Sequence, residues 1–165
     1  MSVKVGLPPV ADESTRLFIL GSLPGEQSLK ESRYYAHPRN QFWKLVGAVI
    51  GQDLHALAYD ARLAALKRHG VGLWDVVSAA RREGSLDAAI RDARHNDIGG
   101  LKRDYPHLKA IGFNGGKAAK DGLQLLAEDV GLELFTLPSS SPAYASMPLA
   151  GKTEAWLRLR EFVAP

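Results

Sequence analysis

The sequence contains no cysteine. That absence excludes disulfides, zinc–thiolate sites and iron–sulfur clusters held by protein thiolates, so any chemistry here is metal-independent or rests on carboxylates and histidines. Nor is there an apolar run approaching the roughly 20 residues that cross a bilayer, and the opening stretch MSVKVGLPPVADESTR lacks the long apolar segment of a secretory signal. The composition therefore reads as that of an intracellular, cytoplasmic protein with no membrane partner. Internal repeats, linkers and biased segments are missing too, and with 45% hydrophobic and 24% charged residues the chain falls outside the disordered class. Its 165 residues suit a single domain spanning 1–165. Three familiar catalytic signatures are also absent: the Gly-x-Ser-x-Gly elbow, the Walker phosphate loop and a Gly-x-Gly-x-x-Gly turn after the first strand. The histidines His55, His69, His95 and His107 are scattered without metal-ligand spacing, so neither a metal nor a cofactor is expected. An excess of basic charge exists but is small, +3. It permits an acidic partner such as nucleic acid without demanding one.

What is present is an alternation of short apolar runs and helical patterns. Leu17-Phe18-Ile19-Leu20, Val71 to Val77, Ala110 to Phe113 and Leu132 to Leu137 are continuous runs bounded by Gly or Pro, as suits strands buried on both faces. Between them, Phe42, Leu45, Val46, Val49 and Ile50 form a helical stripe ended by Gly51. Further helices are expected over Leu54 to His69, Lys117 to Val130, and after a Thr153 cap, with two short ones between Ser85 and Tyr105 capped near Ser85 and Asn96. Residues 1–16, with Pro8 and Pro9, read as a loosely ordered arm. The alternation predicts an α/β fold of three layers, α/β/α, around a parallel sheet of about four strands.

In such sheets ligands gather at the carboxyl ends of the strands. Four segments of unusual composition fall there: Gly21-Ser22-Leu23-Pro24-Gly25, then Asp75, then Asn114-Gly115-Gly116, then Pro138-Ser139-Ser140-Ser141-Pro142. Glycine and proline let backbone amides point at a ligand, and serines leave room for one. The segment Tyr34-Tyr35-Ala36-His37-Pro38-Arg39-Asn40-Gln41-Phe42-Trp43 combines rings, amides and a cation, which suits stacking on a planar base and bonding to its edge. Taken alone, Asn40 fits a helix cap as well as a functional amide, and His37 fits a ligand, a base or a solvated loop residue. Tyr34 and Tyr35 cannot both face one core, so at least one is expected to be exposed.

Together, Leu-Gly-Ser-Leu-Pro-Gly after a buried strand, Tyr-Tyr-Ala-His-Pro-Arg-Asn-Gln-Phe-Trp, Gly-Leu-Trp-Asp-Val-Val, Phe-Asn-Gly and Ser-Ser-Ser-Pro-Ala resemble the uracil-DNA glycosylase superfamily, above all its hypoxanthine-DNA glycosylase branch, family six. The resemblance runs from about residue 17 to 162. It implies the superfamily's four-stranded parallel sheet between helices, and a monofunctional glycosylase removing hypoxanthine, and uracil as a second substrate, from DNA during base excision repair, as a monomer. The mismatch-specific branch carries Gly-Ile-Asn-Pro-Gly in its first motif, whose Asn places the attacking water; Leu23 stands there in this chain and cannot orient water. In the hypoxanthine branch the Asn of the His-Pro-x-Asn stretch is the catalytic one, which is Asn40 here. The second motif reads Ser139-Ser140-Ser141-Pro142, so the leaving-base histidine of the most active uracil enzymes is missing. The lack of cysteine separates the chain from the branches with an iron–sulfur cluster.

Hydrolysis of a base–sugar bond requires water behind the sugar and stabilisation of the departing anion. Asn40 would orient the water through its carbonyl oxygen. Backbone donors at Ser22 and Leu23, within the 21–25 loop, with Asn114 or one of Ser139, Ser140 and Ser141, would stabilise the base. Tyr35 matches the superfamily's stacking aromatic, and Asp75 stands where other branches carry a base-reading polar residue. The stretch from Ala143 and Tyr144 to Leu149 is apolar for a loop and would fill the gap left in the duplex, while Arg39 and Lys152 are candidate phosphate contacts. Two other readings stay open: a non-catalytic DNA-binding module of the same fold, and a small-molecule or nucleotide hydrolase using a serine of the 139–141 loop.

Overall fold

The computed structural model describes residues 2–128 and 130–165. Its centre is a four-stranded parallel sheet in the order β3-β2-β6-β7, built from β2 (Leu17–Gly21), β3 (Val71–Asp75), β6 (Ala110–Asn114) and β7 (Glu133–Leu137). The register sets Leu17 opposite Val71 and Ala110, and Gly21 opposite Asp75, so the chemically unusual residues end level with one another. Every residue of β2 is buried, because successive side chains alternate between two covered faces. Leu17 and Ile19 pack with Phe42, Leu45, Val46 and Val49 of α2 (Phe42–Ile50), with Leu66 of α3 (Tyr59–Arg68), and with Trp156 of α6 (Leu149–Trp156). Phe18 and Leu20 pack on the other face with Leu101 of α4 (Leu101–Asp104) and Ala118 of α5 (Gly116–Gln124). The expected three layers are present. Phe42 is fully buried where α2 meets α6, and truncating such a ring to alanine costs about 3–5 kcal/mol.

A second sheet, β1-β4-β5, was not expected. It joins β1 (Val3–Val5), β4 (Val77–Arg81) and β5 (Arg91–His95) in antiparallel pairs. The apolar run Val71 to Val77 is therefore two strands, divided after Asp75. The amino-terminal arm is correspondingly not loose. Val3–Val5 pairs with β4, Val10 bridges Leu73 on the free edge of β3, and the Tyr34 hydroxyl donates to the Pro8 carbonyl at 2.7 Å. The arm lacks apolar periodicity because its attachment is mainly through backbone hydrogen bonds. Met1 and Asp129, within the expected arm and the expected 117–130 helix, lie outside the described residues.

Helix boundaries differ as well. Residues 85–89 give only a short turn at Asp87–Ala89, and Ser85 caps another element, its hydroxyl accepting from Glu26 N–H at the start of α1 (Glu26–Glu31). Asp97, not Asn96, receives the Gly100 N–H ahead of α4, because the Asn96 amide donates to the Asp75 carbonyl. Thr153 lies inside α6, its hydroxyl returned to the Leu149 carbonyl, and the helix starts after Pro148. The helix at 54–69 begins only at Tyr59. No described helix is long and apolar enough to cross a membrane.

Candidate active site

The carboxyl ends of β2, β3 and β6 open into a cavity of about 520 Å³, within the size range of sites that enclose a small planar ligand. Gly21 to Gly25, Tyr35, His37, Asn40, Asp75, Asn114, Ser139 to Ser141, Ala143 and Tyr144 all line it. Fifteen of the seventeen residues singled out from the sequence thus meet in one place, and two, Arg39 and Lys152, lie outside the lining.

The loop 21–25 extends β2 beyond the sheet. Its Gly21 and Ser22 carbonyls accept from Val76 N–H at 2.8 Å and Val77 N–H at 2.9 Å. Leu23 packs against Val77, Ala80 and Ile90, so its side chain anchors the loop to the small sheet. Arg82, fully buried, holds the loop from below by donating to the Leu23 and Pro24 carbonyls and to Gly84. Sequence reasoning missed Arg82; in the run Ala80-Arg81-Arg82-Glu83 nothing distinguishes it from a solvated cation. Also missed was Asp87, which lines the cavity and accepts from the Ser22 hydroxyl.

The expectation that Tyr34 or Tyr35 is exposed fails: Tyr34 is buried, Tyr35 is half-buried, and both pack on one core and border the cavity. Tyr34 reaches the arm, while the Tyr35 ring stacks on Phe42 at 3.8 Å and nearly parallel. Tyr35 holds φ at +53°, a left-handed conformation that is costly for a bulky residue. The surroundings enforce it: Trp43 Nε1–H donates to the Tyr35 carbonyl, Ala36 N–H donates to the Ser28 hydroxyl, and the Tyr35 hydroxyl accepts from Asn114 Nδ2. Burial pushes the Tyr35 hydroxyl above the ordinary tyrosine range, with Asp75 adding to the shift, so it stays neutral.

Asn114 is engaged on every side. Its amide donates to the hydroxyls of Tyr35 at 3.2 Å and Ser140 at 2.9 Å, and its carbonyl accepts from Ser140 N–H at 2.9 Å. It joins β6 to the serine loop and to the aromatic platform, leaving no amide proton for a ligand. Ser139 and Ser141 accept backbone N–H groups of their own turn. Among the described residues no histidine ring bonds to these hydroxyls, so the serine-nucleophile arrangement has no base.

Asn40 Oδ1 accepts from Phe42 N–H at 2.9 Å, so the amide does serve the start of α2. It also faces the cavity, and the second lone pair of the oxygen is available there. His37 Nδ1 accepts from Arg39 N–H at the cavity edge. Asp75 ends β3 with its carboxyl buried, and its Oδ2 has no hydrogen-bond partner.

Arg39 is exposed. Lys152 requires correction: it is buried, its ammonium donating to Gln41 Oε1 at 2.9 Å and to the Ser141 carbonyl, with the Tyr144 ring 5.3 Å away. Burial pushes its pKa down from the ordinary lysine range. It ties α6 to the serine loop and is not presented to a phosphate. In the loop before α6, Ala143 to Ser146 are exposed, with the Tyr144 ring turned toward Lys152 of the helix.

Known proteins resemble the chain over most of its length. The profile of the uracil DNA glycosylase superfamily matches residues 8–160. A hypoxanthine DNA glycosylase of Methanosarcina acetivorans is 47% identical over 141 residues, 86% of this chain and 88% of that protein. The hypoxanthine DNA glycosylase of Methanosarcina barkeri is 46% identical over 140 residues, 85% and 87% of the two chains. Among solved structures, the solution NMR structure of a Methanosarcina acetivorans protein described as a candidate uracil DNA glycosylase superposes with a TM-score of 0.86 at 42% identity, covering 98% of this chain and 99% of that one. With one profile matching residues 8–160 and a relative 47% identical over 86% of its length, the chain belongs to the uracil DNA glycosylase superfamily.

Proposed function

We propose that the chain is a monofunctional DNA glycosylase that hydrolyses the bond between deoxyribose and hypoxanthine, with uracil as a poorer substrate. The observation that carries the proposal is the meeting of Asn40, Tyr35 and Asp75 around one cavity at the ends of the parallel strands, in a chain 47% identical to a hypoxanthine DNA glycosylase. A base buried inside duplex DNA cannot reach such a cavity. It must be extruded at a cost of a few kcal/mol, less where it is mispaired, as hypoxanthine is opposite thymine. Phe42 covers one face of the Tyr35 ring and fixes its tilt, leaving the ring as the platform for the extruded base. Asn40 holds the attacking water with the carbonyl lone pair that Phe42 N–H does not use. As an amide it removes no proton; its contribution is placement. The exposed Ala143 and Tyr144 lie on the cavity rim and fill the space the base vacates, and Arg39 meets a flanking phosphate.

Incubation with duplexes carrying inosine, uracil or xanthine, followed by alkali, tests the proposal. Strand cleavage is expected at inosine above all, without a borohydride-trapped adduct. Binding of inosine DNA with no cleavage at enzyme excess would overturn catalysis in favour of a binding module, and a trapped adduct would overturn the single-step hydrolysis.

Gly21 supplies a second check. A methyl group there would lie 2.6 Å from Asp75 Oδ1 and 3.2 Å from the Tyr35 hydroxyl. Gly21→Ala should therefore displace both groups, at a cost of about 1–3 kcal/mol by overpacking, and slow single-turnover base release by about tenfold or more. The measurement is the rate on an inosine duplex alongside a urea melt.

A further inference from the structure

The geometry leaves one task unassigned. Backbone N–H groups of the 21–25 loop and the hydroxyls of Ser139 and Ser141 can hydrogen-bond to a departing base, but transferring a proton to it takes an acid, and the serine loop has no histidine to supply one. Asn114 has no free amide proton, the Ser22 hydroxyl is engaged by Asp87, and Arg82 directs its guanidinium to backbone carbonyls. Asp75 is different. Its Oδ2 is buried at the cavity end of β3 and, among the described residues, is the one buried side-chain polar atom without a partner. An ionised carboxylate in that position would be a desolvated charge facing no donor, which is costly; a carboxylic acid would hold an unused O–H.

We infer that Asp75 is a catalytic residue of the proposed reaction, donating its carboxyl proton to the departing base. This rests on the glycosylase reading above. As the C1′–N9 bond breaks, its electron pair passes into the purine ring, and the Asp75 proton moves to an acceptor of the base, O6 or N7. Water adds its oxygen to C1′ and gives up a proton, which returns through cavity solvent to the Asp75 carboxylate. Hypoxanthine leaves neutral and the sugar gains a hydroxyl, so atoms and charge balance.

The surroundings hold the proton where it is needed. Burial, followed by the Asp87 carboxylate, pushes the Asp75 carboxyl up to about 7, with Arg82 opposing. The other titratable groups facing it, the Tyr34 and Tyr35 hydroxyls, are shifted upward and remain neutral. The inference also gives Asp87 a positioning role: it keeps the proton on Asp75 while accepting from Ser22. A neutral acid suits hypoxanthine because the charge developing on the base spreads over its carbonyl and ring nitrogens, where an O–H can meet it and a carboxylate would repel it.

The sign of the pH dependence follows. The protonated form is the active one, so single-turnover release from an inosine duplex should be flat below the Asp75 pKa and fall about tenfold per pH unit above about 7. Measurements stay between about pH 5.5 and 8, where the hypoxanthine lactam keeps its own proton. Asp75→Asn should be slower by about tenfold or more at pH 6 and lose the descending limb, since an amide donates at every pH but transfers no proton. The folded protein should also lose stability as pH rises from about 4 to about 7 and level off above it, because only the folded state holds the Asp75 proton in that window, and Asp75→Asn should lack this component. If that variant does not fold, Asp87→Asn serves: removing the neighbouring charge should move the limb to lower pH. A flat wild-type profile, or a limb that survives in Asp75→Asn, overturns the inference while leaving the glycosylase assignment standing. Absence of hypoxanthine release by the wild-type protein at every pH overturns the assignment itself.

Discussion

Replacing Asn40 with alanine is expected to slow hypoxanthine release from an inosine duplex by about a thousandfold in single-turnover kinetics, equivalent to about 4 kcal/mol. Folding should suffer far less. The lost bond from Phe42 N–H to Asn40 Oδ1 is a cap-like contact at the start of α2, worth about 1 kcal/mol, and the helix keeps its buried face against Leu17 and Trp156. The two roles of the amide oxygen separate in a second variant. Asn40→Asp still accepts from Phe42 N–H and can still hold a water, so it should recover the melting temperature and part of the rate. Alanine should recover neither. A wild-type rate in Asn40→Ala would remove Asn40 from the reaction, and a rate loss tracking stability through both variants would reduce the residue to a helix cap. Affinity for an inosine duplex should change little in either, because water placement acts on the barrier and the aromatic platform on binding.

The parallel sheet was legible because β2, β3 and β6 are covered on both faces and so appear as short apolar runs, while the edge strand β7, exposed over much of its length, still carries Leu134, Phe135 and Leu137. Strands β4 and β5 escape that rule. β5 reads Arg-Asp-Ala-Arg-His and is exposed along almost its whole length, so it carries no hydrophobic signal and exists by pairing with β4. The arm is similar, attached by the backbone of Val3–Val5 and Val10. Most of the site was legible for a different reason. Gly, Pro and Ser after buried strands mark the place where a parallel sheet opens to ligands, and the resemblance supplied the order of the motifs. What the sequence could not convey was which polar groups are already engaged. Lys152 and Arg82 are spelled like surface cations, yet one is fastened to Gln41 and the other to the carbonyls of the 21–25 loop. Asp75 and Asn114 end the two strands that flank β2, but only the structure distinguishes the carboxyl with an unpartnered oxygen from the amide with none. The partners that make the difference lie 26 to 111 residues away in sequence.

That distinction has a large expected consequence for stability. Asn114→Ala removes bonds to the Tyr35 hydroxyl, the Ser140 hydroxyl and Ser140 N–H, and leaves the last buried without a partner, since Ser140 is only 1% exposed. An orphaned buried donor costs about 1–3 kcal/mol, beyond the bonds themselves. A total near 3 kcal/mol should lower the melting temperature by roughly 10 °C in a chain of this length. The rate of base release should fall with it, because Tyr35 loses the partner that holds its hydroxyl while its backbone stays in a strained, left-handed conformation. Asn114→Asp tests the cause. A carboxylate keeps the acceptor for Ser140 N–H, and the hydroxyls of Tyr35 and Ser140 can each rotate to donate to it, so most of the stability should return. Were Asn114 a reader of the base, alanine would leave the melting temperature unchanged and aspartate would damage catalysis as severely as alanine. A melting temperature within about 2 °C of wild type in Asn114→Ala would reject the bracing role. A large drop that aspartate restores would assign Asn114 to holding the platform, and leave the recognition of the base to Asp75 and the backbone of the loop after β2.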